Sequence, residues 1–199
     1  MGLILDSKTF TVNLLNSAID VILTVTVIDW LLERQRRKQW DKVRSQIITA
    51  LTWHLGNIAS EYMVTFRGPG FDLIAFTEDV GAGYEKPLPQ TAKAMASMVE
   101  MMKNHPHPND ARSLAEKVYS IIKWDLIQIR DSLMPRVLAI ETDEIELVSV
   151  MGNLDNAFRR WANEIVIDQE ISSGDQYEAA IETLSATANL YQYLVEHGS

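Results

Sequence analysis

There is no cysteine among the 199 residues. That absence removes disulfides, thiolate nucleophiles, iron–sulfur clusters and cysteine zinc sites together. Histidine is scarce as well, at four residues, and none has a glutamate three positions before it. A di-iron bundle, which needs Glu-x-x-His pairs on facing helices, is therefore disfavoured. No His-Glu-x-x-His, no P-loop and no Gly-x-Ser-x-Gly elbow occurs. Six prolines and nine glycines leave few places where a helix must stop. No internal repeat or low-complexity stretch is apparent.

What is present is the balance of a folded chain, 47% hydrophobic and 23% charged. The net charge of −9 is unevenly spread. Arg34, Arg36, Arg37, Lys38, Lys42 and Arg44 face only Glu33 and Asp41 within 33–44, whereas residues 61–199 carry 11 basic and 22 acidic side chains. An acidic body repels phosphate backbones, so nucleic acid is not an expected partner.

The basic block follows the most hydrophobic stretch, FTVNLLNSAIDVILTVTVIDWLL at 10–32. As a helix this spans about 35 Å, enough to cross a hydrocarbon core. Basic residues directly after an apolar run, with Trp30 near the junction, mark a membrane segment whose C-terminal side is cytoplasmic. A secretory signal peptide would carry its charges before the apolar run instead. Asn13, Asn16, Asp20 and Asp29 count against a span. Two rivals remain open: a soluble helix buried in a bundle or oligomer, and a buried strand over the β-branched Val21 to Ile28.

The run IDWLLERQRRKQWDKV resembles a group of uncharacterised bacterial membrane-anchored proteins, in which a hydrophobic N-terminal helix is followed by a cytosolic helical domain. The matching positions are Ile28, Asp29, Leu31, Leu32, Glu33, Arg34, Arg36 and Arg37. The resemblance covers the first 45 or so residues. It implies a membrane location and supplies no chemistry.

Helical periodicity dominates the remainder. Trp40, Val43, Ile47, Leu51, His54, Ile58 and Tyr62 recur at steps of three and four, predicting one helix over 34–66. Further helices are expected over 91–103, 109–133, 136–168 and 175–196, with Pro135 opening a new helix or kinking one. Ser173 and Gln176 have the spacing of a capping box. Two regular stripes, Leu147 to Ile165 and Tyr177 to Val195, suggest antiparallel bundle packing. The fold expected is all-α: an N-terminal hydrophobic, transmembrane helix continuing into an antiparallel helical bundle. Residues 1–33 would be the membrane-anchor or oligomerisation helix and 34–199 the bundle.

Candidate chemistry is thin. His105 and His107 sit in NHPHPND, which reads as a proline-stiffened turn rather than a metal site. His54 lies on an apolar stripe and reads as a hydrogen-bonded core or interface residue. Asp125, between Trp124 and Leu126, is either a buried carboxylate or the polar side of its turn. GAG at 81–83 lacks the context of a dinucleotide fingerprint, and the acids at 141–146 suit a helix start. The Met-rich 94–102 reads as adaptable core. The long irregular stretch 67–89 holds a candidate binding loop, Phe71, Asp72, Phe76 and Tyr84.

One helical pattern points to assembly. Taking Asn13 as zero at 100° per residue, Asn16, Ser17, Asp20 and Thr24 all fall within about a third of the circumference. This polar stripe is the expected self-association seam. Arg34, Arg36, Arg37 and Lys38 form the expected membrane-interface cluster. The functional expectation is a single-pass protein of the cell membrane, its C-terminal body in the cytoplasm as a binding, scaffolding or regulatory module. Membrane lipid and a second copy, or a partner membrane helix, are its expected partners. The alternatives are a self-associating membrane effector or pore-forming component, and a soluble oligomeric helical protein or small-molecule sensor. No catalytic residue, metal or cofactor is expected.

Overall fold

The computed structural model describes residues 7–66, 86–104, 111–139, 145–167 and 173–198. Among them every regular element is helical. In chain order these are α1 (Ser7–Thr65), α2 (Pro89–Asn104), α3 (Ala111–Gln128), a π-helical turn (Ile129–Leu133), α4 (Met134–Leu138), α5 (Ile145–Ile167) and α6 (Ser173–His197). By contacts the chain divides into two units, Met1–Arg44 and Ser45–Ser199.

The first unit holds the N-terminal part of α1, whose described side chains begin at Ile19. No β-strand forms over Val21 to Ile28, so β-branching does not override the helical pattern here. Among the described residues, no helix is long and apolar enough to cross a membrane. Residues 10–18 of the hydrophobic stretch lie outside that statement, because their side chains are not described.

In the second unit the predicted stripes become the core. Ile47, Leu51, Leu55, Ile58 and Tyr62 of α1 are buried, as are Met95, Met98 and Met102 of α2. Val118, Ile122 and Leu126 of α3 and Leu147, Met151, Leu154, Phe158 and Trp161 of α5 join them. Helix α6 is the hub, packing against α2, α3 and α5. Its inward side alternates small and large residues, with Ala179, Ala180, Leu184, Leu190 and Tyr191 all buried. The alanines let neighbouring backbones come close while the larger side chains fill the space between them.

Aromatic rings knit the centre. Tyr62 lies 6.1 Å from Trp161, and Tyr119 lies 5.4 Å from Trp161 and 5.8 Å from Phe158, centroid to centroid. Buried Tyr62 satisfies its hydroxyl by donating to the Ala180 carbonyl at 2.7 Å. The Trp161 indole N–H is buried without a partner among the described residues.

Two expectations need correction. The helix predicted over 136–168 is not continuous: α4 ends at Leu138, and α5 begins only at Ile145. Pro135, as expected, stands in the first turn of a new helix, α4. It lacks the N–H that the Asp131 carbonyl would accept in an α-helix, and its ring crowds that carbonyl. The chain widens to a π turn instead, with the Met134 N–H bonding the Ile129 carbonyl, and passes through the proline. Helix α4 ends at Leu138, and the Ala139 N–H bonds back to the Pro135 carbonyl. The Gln176 half of the expected capping box is likewise not seen, since its Oε1 is buried without a partner among the described residues.

Candidate functional site

In the first unit, Ile19, Val21, Ile22, Leu23, Val25, Val27, Ile28, Trp30, Leu31 and Leu32 are all exposed, Ile22 to 64%. At 100° per residue these positions surround the helix rather than lining one face. Solvated helices are normally apolar on one stripe, and those apolar all round are buried in protein or lipid.

The polar groups within this sleeve are placed unequally. The Thr24 hydroxyl donates to the Asp20 carbonyl at 2.7 Å, and the Thr26 hydroxyl to the Ile22 carbonyl at 2.8 Å. Both threonines thus satisfy themselves within their own helix. Trp30 lies under the Arg34 guanidinium at 5.4 Å. Asp29 is close to the basic end of the sleeve. The Asp20 carboxyl is exposed and has no hydrogen bond or ion pair among the described residues. Asn13, Asn16 and Ser17 belong to the same helix, but their side chains lie outside the described residues.

The basic cluster follows directly. Arg34, Arg36, Arg37 and Lys38 are exposed, and Glu33 accepts from Arg37 at 3.0 Å. One of the two acids is therefore tied to a basic residue, and the cluster keeps its positive character.

In the second unit, His54 Nδ1 lies 2.7 Å from Asp125 Oδ1, with side chains 16% and 18% exposed. The edge of the His54 ring meets Trp53, the centroids 4.9 Å apart at 79°. Trp53 and Trp124 are exposed to 48% and 65%, with Ile121 exposed nearby on α3. Lys123 Nζ stands 5.7 Å from the Trp124 ring. The contact chain Trp53–His54–Asp125, continuing in sequence to Trp124, brings two exposed indoles to the joint between α1 and α3. Sequence reasoning found His54 and Asp125 separately and missed their meeting, along with both tryptophans. The exposed aromatic positions were the one available signal.

A small recess lies beside the π turn, walled by Leu126, Ile129, Arg130, Met151, Asp155 and Phe158, with others. About 10 Å³ is open to the centre of a water molecule. That is room for about one water and far from the several hundred Å³ of a metabolite pocket. Among the described residues, no group of three or more His, Asp or Glu could hold a metal ion. The Met-rich stretch is core, with Met95, Met98 and Met102 buried. Phe71, Asp72, Phe76 and Tyr84 of the candidate loop lie outside the described residues, as do His105 and His107.

No family model, curated protein or solved structure matches the chain.

Proposed function

We propose that the chain is a membrane-anchored helical bundle, held by its N-terminal helix in the cell membrane, with its C-terminal body in the cytoplasm as a binding, scaffolding or regulatory module. The observation that carries this reading is the stretch at 19–32, whose large apolar side chains are exposed around the helix, with Arg34, Arg36, Arg37 and Lys38 directly after it. Water is a poor solvent for such a sleeve, and lipid covers it on all sides at once. The threonine hydroxyls, bonded to their own helix, fit a place where water is absent. The resemblance of Ile28 to Arg37 to membrane-anchored proteins points the same way.

The span in this reading runs over the full 10–32 stretch, with Trp30 and the basic collar at the inner surface. The body is then an antiparallel bundle with more acidic than basic residues. No catalysis, metal or cofactor is assigned to it. The test is topology. Reporter fusions at the two ends of the full chain should be active outside the membrane at the N-terminus and in the cytoplasm at the C-terminus. Six basic residues follow the stretch within 34–44. A C-terminal reporter active only outside the cytoplasm would overturn the orientation.

A further inference from the structure

We infer that the four cations directly after the apolar stretch, Arg34, Arg36, Arg37 and Lys38, bind the headgroups of anionic lipids. The inference rests on the membrane reading and deepens it by naming the lipid class that the anchor selects. All four side chains are exposed. Arg37 has an acid beside it, Glu33 at 3.0 Å. Arg34, Arg36 and Lys38 have no ion pair among the described residues. The arginines of the bundle are treated differently. Arg112, Arg130, Arg159 and Arg160 each lie within 3.2 Å of a carboxylate oxygen. The segment 33–38 therefore carries positive charge that its own helix does not neutralise.

The arrangement fits a layer of headgroups better than one partner face. Taking Arg34 as zero, Lys38 lies at about 40°, Arg37 at about 300° and Arg36 at about 200° around the helix. The charges thus point to opposite sides at one level. A flat acidic surface or a groove reaches one side of such a ring, whereas headgroups surround it. The depth agrees as well. Arg34 to Lys38 lie about 3–9 Å along the axis beyond Leu32, and the headgroup layer on each side of a bilayer is about 5–7 Å thick. The Arg34 guanidinium lies over the Trp30 ring at 5.4 Å, which turns this charge back toward the end of the apolar stretch. Net charge sets the lipid class. The phosphate of phosphatidylcholine is offset by its own choline, whereas phosphatidylglycerol presents an uncompensated phosphate. Clustered Lys and Arg beside a membrane helix are attracted to such a surface, and salt screens the attraction.

The test reconstitutes the full chain in phosphatidylcholine vesicles holding a trace of spin-labelled phosphatidylglycerol or spin-labelled phosphatidylcholine. Electron paramagnetic resonance then reads the lipid immobilised against the protein. In low salt the unaltered chain should immobilise phosphatidylglycerol about threefold more than phosphatidylcholine. Sodium chloride at about 1 M should bring that ratio near one. Arg34→Gln, Arg36→Gln, Arg37→Gln and Lys38→Gln together should do the same in low salt, with circular dichroism still helical. Replacing the three arginines by lysine keeps the charge and should preserve the enrichment. So should Lys93→Gln with Lys117→Gln, which removes two exposed cations of the bundle. Equal immobilisation of both lipids by the unaltered chain would overturn the inference and leave the anchor reading standing; it is the result expected if the ring lies against the acidic body of a second copy instead. Enrichment that survives the four glutamines would also overturn it. Immobilisation of neither lipid would remove the anchor and the lipid assignment together.

Discussion

His54 and Asp125, 71 residues apart, meet at 2.7 Å and join α1 to α3 inside the bundle. Both side chains are mostly withdrawn from water, so each needs the other as a hydrogen-bonding partner. Removing one leaves the other poorly satisfied, which costs about 1–2 kcal/mol. His54→Ala and Asp125→Ala should each lower the denaturant midpoint. The double variant should lose clearly less than the sum, because the second removal strands nothing. Additive losses would show that the pair is not coupled.

The two exposed indoles should matter little to folding. Trp124→Ala is expected to change stability by about 0.5 kcal/mol or less, and Trp53→Ala by less than about 1 kcal/mol through its lost contact with His54. Leu51, fully buried on the same helix as Trp53, should cost about 2–5 kcal/mol on truncation to Ala. Thermal melts of the three variants check this order. A Trp124→Ala loss as large as that of Leu51→Ala would mean that Trp124 is part of the core.

Gly152 lies within α5, and a Cβ placed on it would meet nothing within 4 Å. Alanine there loses less backbone freedom on folding and brings no clash, so Gly152→Ala should stabilise the bundle by about 0.5–1 kcal/mol. A lower melting temperature for this variant would contradict the packing described around α5.

Burial pushes the Tyr62 hydroxyl well above its ordinary value of 10.0. The sign follows from linkage. Below pH 10 the tyrosine is neutral in both the folded and the unfolded chain, and its contribution to stability is fully present. Above pH 10 the unfolded chain loses this proton while the folded chain holds it, so stability falls as pH rises toward the folded value. Tyr62→Phe should cost about 1 kcal/mol at neutral pH, through the lost bond to Ala180. It should also flatten part of the decline above pH 10. An unchanged alkaline profile would place the decline with other buried tyrosines, such as Tyr191.

The helices were legible because each long one carries its apolar residues at steps of three and four, and the buried side chains from Ile47 to Tyr62 and from Leu147 to Trp161 follow that spacing. Pro135 was legible as the first turn of a new helix, whereas the π turn that precedes it carries no local signal. The end of α4 at Leu138 carries no glycine or proline to announce it. His54 and Asp125 could each be seen on its own helix, but their contact depends on how α1 and α3 pack, which local spacing does not encode. The sleeve was legible as an apolar run. That the described helix leaves it exposed on all sides, with Asp20 unmet, required the structure.

The central claim is that this sleeve lies in a bilayer, and extraction of membranes with alkaline carbonate tests it most directly. The full chain should remain in the membrane pellet. A full chain carrying Ile22→Lys and Val25→Lys should be released, since each lysine near the middle of a span costs about 3 kcal/mol on insertion scales, and its circular dichroism should remain helical. Recovery of the unaltered chain in the carbonate supernatant would contradict the account.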